Sequence, residues 1–239
     1  MRLNLAEDLH VHSTFSDGAG TLADNIAWAE AAGLRHLGCV DHVRAGTDWL
    51  PNFVSAVEAA RRTTMVHLSA GVEAKFLDED GTLDLPEDLD GIDLILAADH
   101  QLPIGNSLLP PRTVRDLIVR RALGAGRIVT ALLNASLGAM NRYPGCVVAH
   151  PFSFLPKVGL DDGELRASEI EELARVSART GSRLEVSERW RCPGIRFARI
   201  YAAAGGLLCC STDAHRPKAI GTYDYVLHVD EALTHGGAR

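Results

Sequence analysis

The sequence lacks the features that mark secreted, membrane or nucleic-acid-binding proteins. It contains five cysteines, an odd number with no C-x-x-C pair, so neither a disulfide framework nor a thiolate zinc site is expected. No apolar run approaches the roughly 18 residues of a membrane helix, and no charged-then-apolar leader opens the chain. A net charge of −7 argues against a general nucleic-acid surface. We therefore predict a cytoplasmic protein that binds neither membranes nor nucleic acid.

Length and composition fit one globular domain. Hydrophobic residues make up 46% of the chain and charged residues 23%, which are ordinary values for a protein with a sizeable core. A chain of 239 residues has a length that α/β barrels reach as a single domain. Because no repeat, low-complexity stretch or linker divides the chain, we predict one domain over residues 1–239.

Short apolar segments alternate with helical patterns along the chain. We predict seven strands, one around His10 and six over 36–40, 66–72, 92–98, 146–149, 183–187 and 207–211. We predict one helix that is capped by Thr21 and ends at Ala32, and another that begins with a Ser168–Glu171 capping box and ends at Thr180. Further helices are predicted over 49–62, 113–123, 128–140 and 194–204. Short apolar strands that mostly precede helices predict an α/β fold with a parallel sheet.

The segment Asp8–Gly18 contains the first candidate ligands. In a strand, residues two apart point to one face, so His10 and His12 would share a space, with Leu9 and Val11 on the other side. Asp17 follows in a Ser-Asp-Gly turn. Imidazole and carboxylate are usual ligands of zinc, manganese and iron. The segment alone is equally compatible with a half-buried strand that carries two surface histidines.

Ligand-capable residues recur where the predicted strands end. They are His10 and His12, His42, Glu73, His100, His150, and Asp213 with His215. In α/β barrels this end of the strands carries the functional site, so we predict a metal site there. Because the first and last strands both contribute, a closed barrel is favoured. Strand six offers Glu185 and Ser187, whose role stays open, and Asp41 and Asp99 are predicted to support or cap neighbouring groups.

The ordered motifs resemble those of the PHP family, named for polymerase and histidinol phosphatase. The matching segments are His10–Ser13 with Ser16–Gly18, Asp41-His42, Gly71–Glu73, His100, Ala149–Pro151 and Asp213–His215. They run in the family's order through nearly the whole chain. The resemblance implies a distorted, TIM-like (β/α)7 barrel that holds up to three metal ions at the C-terminal ends of its strands.

The resemblance also implies a ligand set, residue by residue. One ion would take His10, His12, Glu73 and Asp213. A second ion would share Glu73 and add His100 and His150. A third would use Asp17, His42 and His215, with Asp17 at a position where some relatives have histidine. We therefore expect two to three divalent ions, of zinc, manganese or iron.

A site of this kind suits phosphate chemistry. Three divalent ions would outweigh the three carboxylates of Asp17, Glu73 and Asp213, which leaves a positive pocket for a phosphate dianion. We predict in-line attack of a metal-bound hydroxide on phosphorus, with Glu73, Asp213 and His215 as the catalytic residues. Arg189 and Arg191 are candidate phosphate ligands, although a solvated basic turn is the simpler interpretation of both. Arg44, Lys75 and Arg216 are further candidates of the same kind.

The leading hypothesis is a metal-dependent phosphatase for a small phosphomonoester, similar to histidinol-phosphate phosphatases. An exonuclease or nucleotide phosphatase of the same family is an alternative. Another is a C–N hydrolase of the amidohydrolase type, although that type usually ends in a lone aspartate rather than Asp-Ala-His. A metal-stabilised binding module is the non-enzymatic alternative. The substrate and the oligomeric state are not readable from the sequence.

Overall fold

The strands of the fold form one parallel sheet and one small hairpin. The computed structural model of the chain describes residues 2–105 and 107–235. In chain order the strands are β1 (Glu7–Val11), β2 (His36–His42), β3 (His67–Lys75), β4 (Leu94–Ala98), β5 (Leu102–Ile104), β6 (Ser107–Leu109), β7 (Val147–Ala149), β8 (Arg183–Ser187) and β9 (Leu208–Ser211). Seven of them pair in the order β1-β2-β3-β4-β7-β8-β9, and β5 pairs with β6. The seven strands are those predicted from the sequence.

The sheet nearly closes into a barrel because its first and last strands meet just beyond their ends. Val11 bridges Ala214 in parallel. The backbone amide of His12 donates to the carbonyl of Ala214 at 2.9 Å, and the amide of Ala214 donates to the carbonyl of His10 at 3.2 Å. These bonds confirm the predicted α/β barrel and bring the two ends of the ligand series side by side.

Helices cover the outside of the barrel. They are α1 (Leu22–Ala31), α2 (Leu50–Arg61), α3 (Pro111–Val119), α4 (Ala125–Arg142), α5 (Phe154–Lys157), α6 (Ala167–Thr180), α7 (Ile195–Ala203) and α8 (Tyr225–His235). The Thr21–Asp24 capping box is present, as predicted. The Ser168–Glu171 box was wrong: α6 begins at Ala167, and Glu169 accepts from the amide of Arg166 at 2.8 Å. In the described part of the chain, no helix is long and apolar enough to cross a membrane.

One prediction about the first strand was wrong. Leu9 packs with Val40 and Leu96 in a buried interior cluster, rather than on the face opposite the site. The register between β1 and β2 shifts between Asp8 and Val11, which turns Leu9 and His10 to the same side. A Cβ on Gly38 would lie 2.4 Å from the Leu9 carbonyl oxygen, so only glycine lets β2 approach this irregular strand.

Two hydrophobic layers position the strands. The interior cluster around Leu9, Leu96 and Val147 fills the barrel beneath the strand ends. Outside, the helices pack their apolar faces onto the sheet, as Phe53 of α2 and Phe197 of α7 do. Because interiors pack densely, the strand ends form a rigid platform for the residues that follow them.

At the opposite end of the barrel, His36 should make stability depend on pH. Its ring lies 4.5 Å from that of His67, and burial together with this neighbour lowers the pKa of His36 to about 4. Between pH 6.5 and 4 the unfolded chain therefore binds a proton that the folded chain does not, so the contribution of His36 is present above pH 6.5 and is lost as the pH falls. Relative to His36→Gln, we expect the wild type to lose about 1 kcal/mol more unfolding free energy between pH 7.5 and 5.0.

Urea unfolding of both proteins at the two pH values measures this difference. Effects of the remaining titratable groups are common to both proteins and cancel in the comparison. An equal loss of stability in the wild type and in His36→Gln would contradict the assignment to His36.

Candidate metal centre

The nine sequence-predicted ligand residues come together at the C-terminal end of the barrel. They are His10, His12, Asp17, His42, Glu73, His100, His150, Asp213 and His215, and each lies within 4 Å of at least one other member through side-chain atoms. His10 and Glu73 have side chains only 1% exposed, whereas that of Asp17 is 55% exposed. The centre is therefore buried at its base and open to solvent beside Asp17.

Glu73 lies at the middle of the cluster. Its Oε1 is 3.1 Å from His100 Nε2 and 3.0 Å from His150 Nε2. Its Oε2 is 2.8 Å from His42 Nδ1, 3.3 Å from His10 Nε2 and 3.5 Å from His12 Nε2. One buried carboxylate thus faces five imidazoles, with a different set at each oxygen. This is the arrangement expected of a carboxylate that bridges two cations.

Asp17 organises a second part of the cluster at the open side. Its carboxylate oxygens lie 3.2 Å from His215 Nε2 and 3.7 Å from both His12 Nδ1 and His42 Nε2. Asp213 connects this part to the base, with Oδ1 at 3.3 Å from both His12 Nε2 and His215 Nδ1.

Within residues 2–105 and 107–235, three sets of ligand atoms have the mutual spacing of metal sites. Within each set the atoms lie no more than 4.8 Å apart; the sets are His12, Asp17, His42 and His215; His10, His12 and Glu73; and His42, Glu73 and His100. His12 and His42 each belong to two sets, which the division inferred from the resemblance did not include. The assignment of individual residues to individual ions stays a prediction.

The chemistry of the donor atoms fits cations. Among the described residues, His12 Nδ1, Glu73 Oε2 and Asp213 Oδ1 are buried, and their close neighbours do not form well-directed hydrogen bonds with them. Leaving such atoms unpaired is costly, and all three are lone-pair donors of the kind that bind divalent ions. His150 and Asp213 also adopt left-handed backbone, with φ of 28° and 50°, a strain that non-glycine residues accept mainly at functional sites.

The carboxylates and imidazoles shift one another's pKa values. Burial opposes charge on His150, but its contacts with Asp99 and Glu73 raise its pKa to about 10. Burial likewise opposes charge on Glu73, and the charges of His10 and His100 hold the pKa of Glu73 well below its ordinary value. The centre therefore stabilises positive charge next to Glu73, and protons compete with metal ions for the same nitrogen atoms.

The comparison with known proteins agrees with this geometry. The family model of the PHP domain matches residues 8–188. The chain belongs to the PHP family. A protein of Shewanella frigidimarina named "probable phosphatase" is 25% identical over 233 residues, which cover 95% of this chain and 84% of the relative. A "probable phosphatase" of Clostridium acetobutylicum is 27% identical over 223 residues, covering 92% of this chain and 82% of that one.

Among solved structures, the chain is similar to a histidinol phosphate phosphatase from Lactococcus lactis in complex with zinc, L-histidinol and phosphate. The TM-score is 0.66 at 17% identity, and the match covers 98% of this chain and 94% of that chain. At this identity the likeness shows the fold alone. The family predicted from the ordered motifs and the barrel predicted with it are both confirmed.

Two aspartates of this PHP chain support the ligands, as predicted. Asp99 accepts from Ser153 Oγ at 2.7 Å and lies 3.3 Å from Nδ1 of His150, which leaves Nε2 of His150 directed at Glu73. Asp41 accepts from the amide and the hydroxyl of Ser13 at 3.0 and 2.6 Å. It also accepts from the amide of Ser16 at 3.1 Å, and so holds the turn that carries Asp17.

Sequence reasoning missed the role of two further residues. Glu185, which is fully buried, lies 3.3 Å from His10 Nδ1 and accepts from the amide of His150 at 2.5 Å and from Ser211 Oγ. Trp190 Nε1 donates to Asp213 Oδ2 at 2.6 Å. The available signal for Glu185 was its place in strand six at the level where other strands carry ligands. Trp190 lies in the turn that follows β8, where no sequence pattern indicates a functional role.

The two candidate phosphate ligands lie in different places. Arg189 is at the centre, with Nη1 3.6 Å from Asp213 Oδ1 and in contact with the ring of His215. The guanidinium of Arg191 lies 5.4 Å from the ring centre of Tyr225 in α8. Arg189 therefore lies next to the predicted metal ligands, whereas Arg191 packs against the first turn of α8 and away from them.

Glu185→Gln should weaken metal binding. The carboxylate accepts from His10, His150 and Ser211, whereas an amide has only one acceptor oxygen and would direct donors at groups that already donate. Loss of such a supporting contact typically costs about 10–100-fold in metal affinity, and we expect a change of this size. Zinc competition with a chromophoric chelator measures it, with Glu172→Gln on the exposed face of α6 as the matched control. Equal zinc affinity in Glu185→Gln and the wild type would rule out this role.

Proposed function

We propose that this PHP protein is a metal-dependent phosphoesterase that hydrolyses a small phosphomonoester at a centre for two to three ions of zinc, manganese or iron. The broader class, a hydrolase of the phosphatase type, is supported by the family membership and by relatives that bear the name phosphatase. The finer proposal rests on one observation. The buried Glu73 carboxylate faces five imidazoles within 3.5 Å, and its Oε2 accepts no well-directed hydrogen bond from them.

Two groups of residues would hold the ions. His10, His12, Glu73, His100, His150 and Asp213 would bind them at the buried base of the centre, and Asp17, His42 and His215 would bind them at the solvent side. Bound divalent ions would supply Lewis acidity and a hydroxide nucleophile at neutral pH.

Glu73, Asp213 and His215 are the proposed catalytic residues. Asp213 has one oxygen fixed by Trp190 and the other directed at His12 and His215. His215 is partly exposed. With Nε2 facing Asp17, its Nδ1 lies 3.3 Å from Asp213 Oδ1 and is the nitrogen that could carry a proton for a leaving oxygen. Arg189, which lies beside both residues, is positioned to donate hydrogen bonds to a phosphate held over the centre.

The alternatives are less well supported. A C–N hydrolase of the amidohydrolase type is disfavoured because the PHP model matches residues 8–188. An exonuclease of the PHP family is disfavoured by the acidic balance of the chain, with a net charge of −7. A nucleotide phosphatase stays an alternative that the substrate screen tests. The cytoplasmic location and the single-domain organisation stay predictions.

Metal analysis and a substrate screen test the proposal. Protein purified without chelators is expected to contain two to three equivalents of zinc, manganese or iron and to hydrolyse p-nitrophenyl phosphate. A screen of histidinol phosphate, nucleotides and sugar phosphates then distinguishes the substrate classes. Less than one equivalent of metal, or no hydrolysis of any phosphomonoester by metal-loaded protein, would contradict the proposed function.

A further inference from the structure

We propose that the pocket lined by Arg189, Arg216 and Lys218 binds a second anionic group on the substrate, so that the preferred phosphomonoester carries a carboxylate or a further phosphate on its leaving group. This inference rests on the proposed phosphatase function and specifies its substrate class.

The pocket adjoins the metal centre. A cavity of about 410 Å³ is lined by Asp213 and His215 together with Arg189, Arg216, Lys218 and Thr222. The ester group of a phosphate held near Asp213 could therefore extend into a cavity whose lining includes three cationic residues. The size is within the range of small-ligand sites, which are about 300–1,000 Å³.

Two of the three cations that line this pocket have no carboxylate partner among the described residues. Glu188 is the other acidic residue of the lining, and its carboxylate already accepts from the amides of Asp224, Tyr225 and Val226 at the start of α8, at 2.8–3.0 Å. Among residues 2–105 and 107–235, no carboxylate oxygen lies within 4.0 Å of the charged groups of Arg216 and Lys218. Two exposed cations thus face the cavity of a chain whose net charge is −7.

The opposite flank of the centre has the opposite charge. A cavity of about 350 Å³ beside His42 is lined by Arg44 and Asp48, and the adjoining cavity adds Glu87, Asp88 and Asp90. A substrate with a second negative charge would be repelled there and attracted to the His215 flank. A substrate with an amine would favour the acidic flank instead. The charge on the leaving group is therefore the property to test.

Matched phosphomonoesters test the proposal. 2-Phosphoglycolate, ethyl phosphate and phosphoethanolamine differ mainly in carrying a carboxylate, no charge or an ammonium group at the same distance from phosphorus. 3-Phosphoglycerate and glycerol 3-phosphate form a longer pair. With metal-loaded wild-type protein, we expect kcat/KM to be about tenfold higher for the carboxylate member of each set than for its neutral counterpart, through a lower KM.

Two variants assign this preference to the pocket. In Arg216→Gln combined with Lys218→Gln, the ratio of kcat/KM between 2-phosphoglycolate and ethyl phosphate is expected to fall to about one. The ratio is internal to each protein, so a partial loss of folding or metal does not change it. Arg35→Gln combined with Arg62→Gln, which removes two positive charges from exposed sites at the other end of the barrel, is expected to keep the wild-type ratio.

The outcomes separate this inference from the proposed function. Hydrolysis of p-nitrophenyl phosphate without a preference for the carboxylate esters would overturn the inference and leave the phosphatase function standing. A preference for phosphoethanolamine, or a carboxylate preference that survives in the double variant, would also overturn it. If metal-loaded protein hydrolysed none of these esters, both the inference and the proposed function would fail.

Discussion

Replacing Glu73 with glutamine is expected to lower kcat/KM for p-nitrophenyl phosphate by roughly a thousandfold or more. The variant keeps the size of the side chain but removes its charge and replaces one acceptor oxygen with a donor nitrogen. Five imidazoles lie within 3.5 Å of the Glu73 carboxylate, so the charge that would compensate adjacent cations is lost. Metal analysis of the same sample should show the loss of at least one equivalent per chain.

Glu58→Gln is the matched control for this experiment. Glu58 is an exposed carboxylate of α2 that pairs with Arg61, so its replacement should leave metal content and activity unchanged. Full metal content and wild-type kcat/KM in Glu73→Gln would show that Glu73 neither bridges nor orders the ions. Circular dichroism of each variant verifies that the barrel is folded.

The largest effect on stability away from the centre is expected for Gly138→Ala. Gly138 lies in α4, and a Cβ there would be 2.1 Å from the carbonyl oxygen of Asp80. The obstructing atom belongs to backbone, so α4 and the loop at Gly81 would have to separate. We expect a loss of about 1–3 kcal/mol in unfolding free energy, the usual cost of overpacking, measured by urea denaturation.

The same helix offers a control of opposite sign. Gly126, in the first turn of α4, has nothing within 4 Å of the position of an added Cβ. Gly126→Ala should therefore raise the unfolding free energy by a few tenths to about 1 kcal/mol, because alanine loses less backbone entropy in a helix. If both variants had the same effect, the close contact between α4 and the Asp80–Gly81 loop would not be a determinant of stability.

The barrel and the positions of the ligands could be predicted because their signals are local. A buried strand appears in the sequence as a short run of apolar residues. A histidine or carboxylate directly after such a run lies at the C-terminal end of the strands in any parallel barrel. His42, His100 and His150 all follow this rule. Predicting that these residues converge on one end of the barrel thus required only that the strands be located correctly in the sequence.

The features that were missed depend on contacts between distant segments. The inward turn of Leu9 depends on space that Gly38 provides on the neighbouring strand, and no periodicity within β1 reveals it. Glu185 looks like any carboxylate in a strand until His10 and His150 are seen to meet it. Likewise, the β5–β6 hairpin forms in a proline-containing segment that carries no alternation of polar and apolar residues.

The hydrogen bonds between His12 and Ala214 have a consequence for biosynthesis. His10 and His12 leave the ribosome early, whereas Asp213 and His215 emerge only after the other strands have been made. Until the last strand docks, a nascent chain offers scattered imidazoles rather than the complete proposed cage. A truncated polypeptide that ends before β9 is therefore expected to bind divalent ions more weakly than the full chain and to release them to a mild chelator.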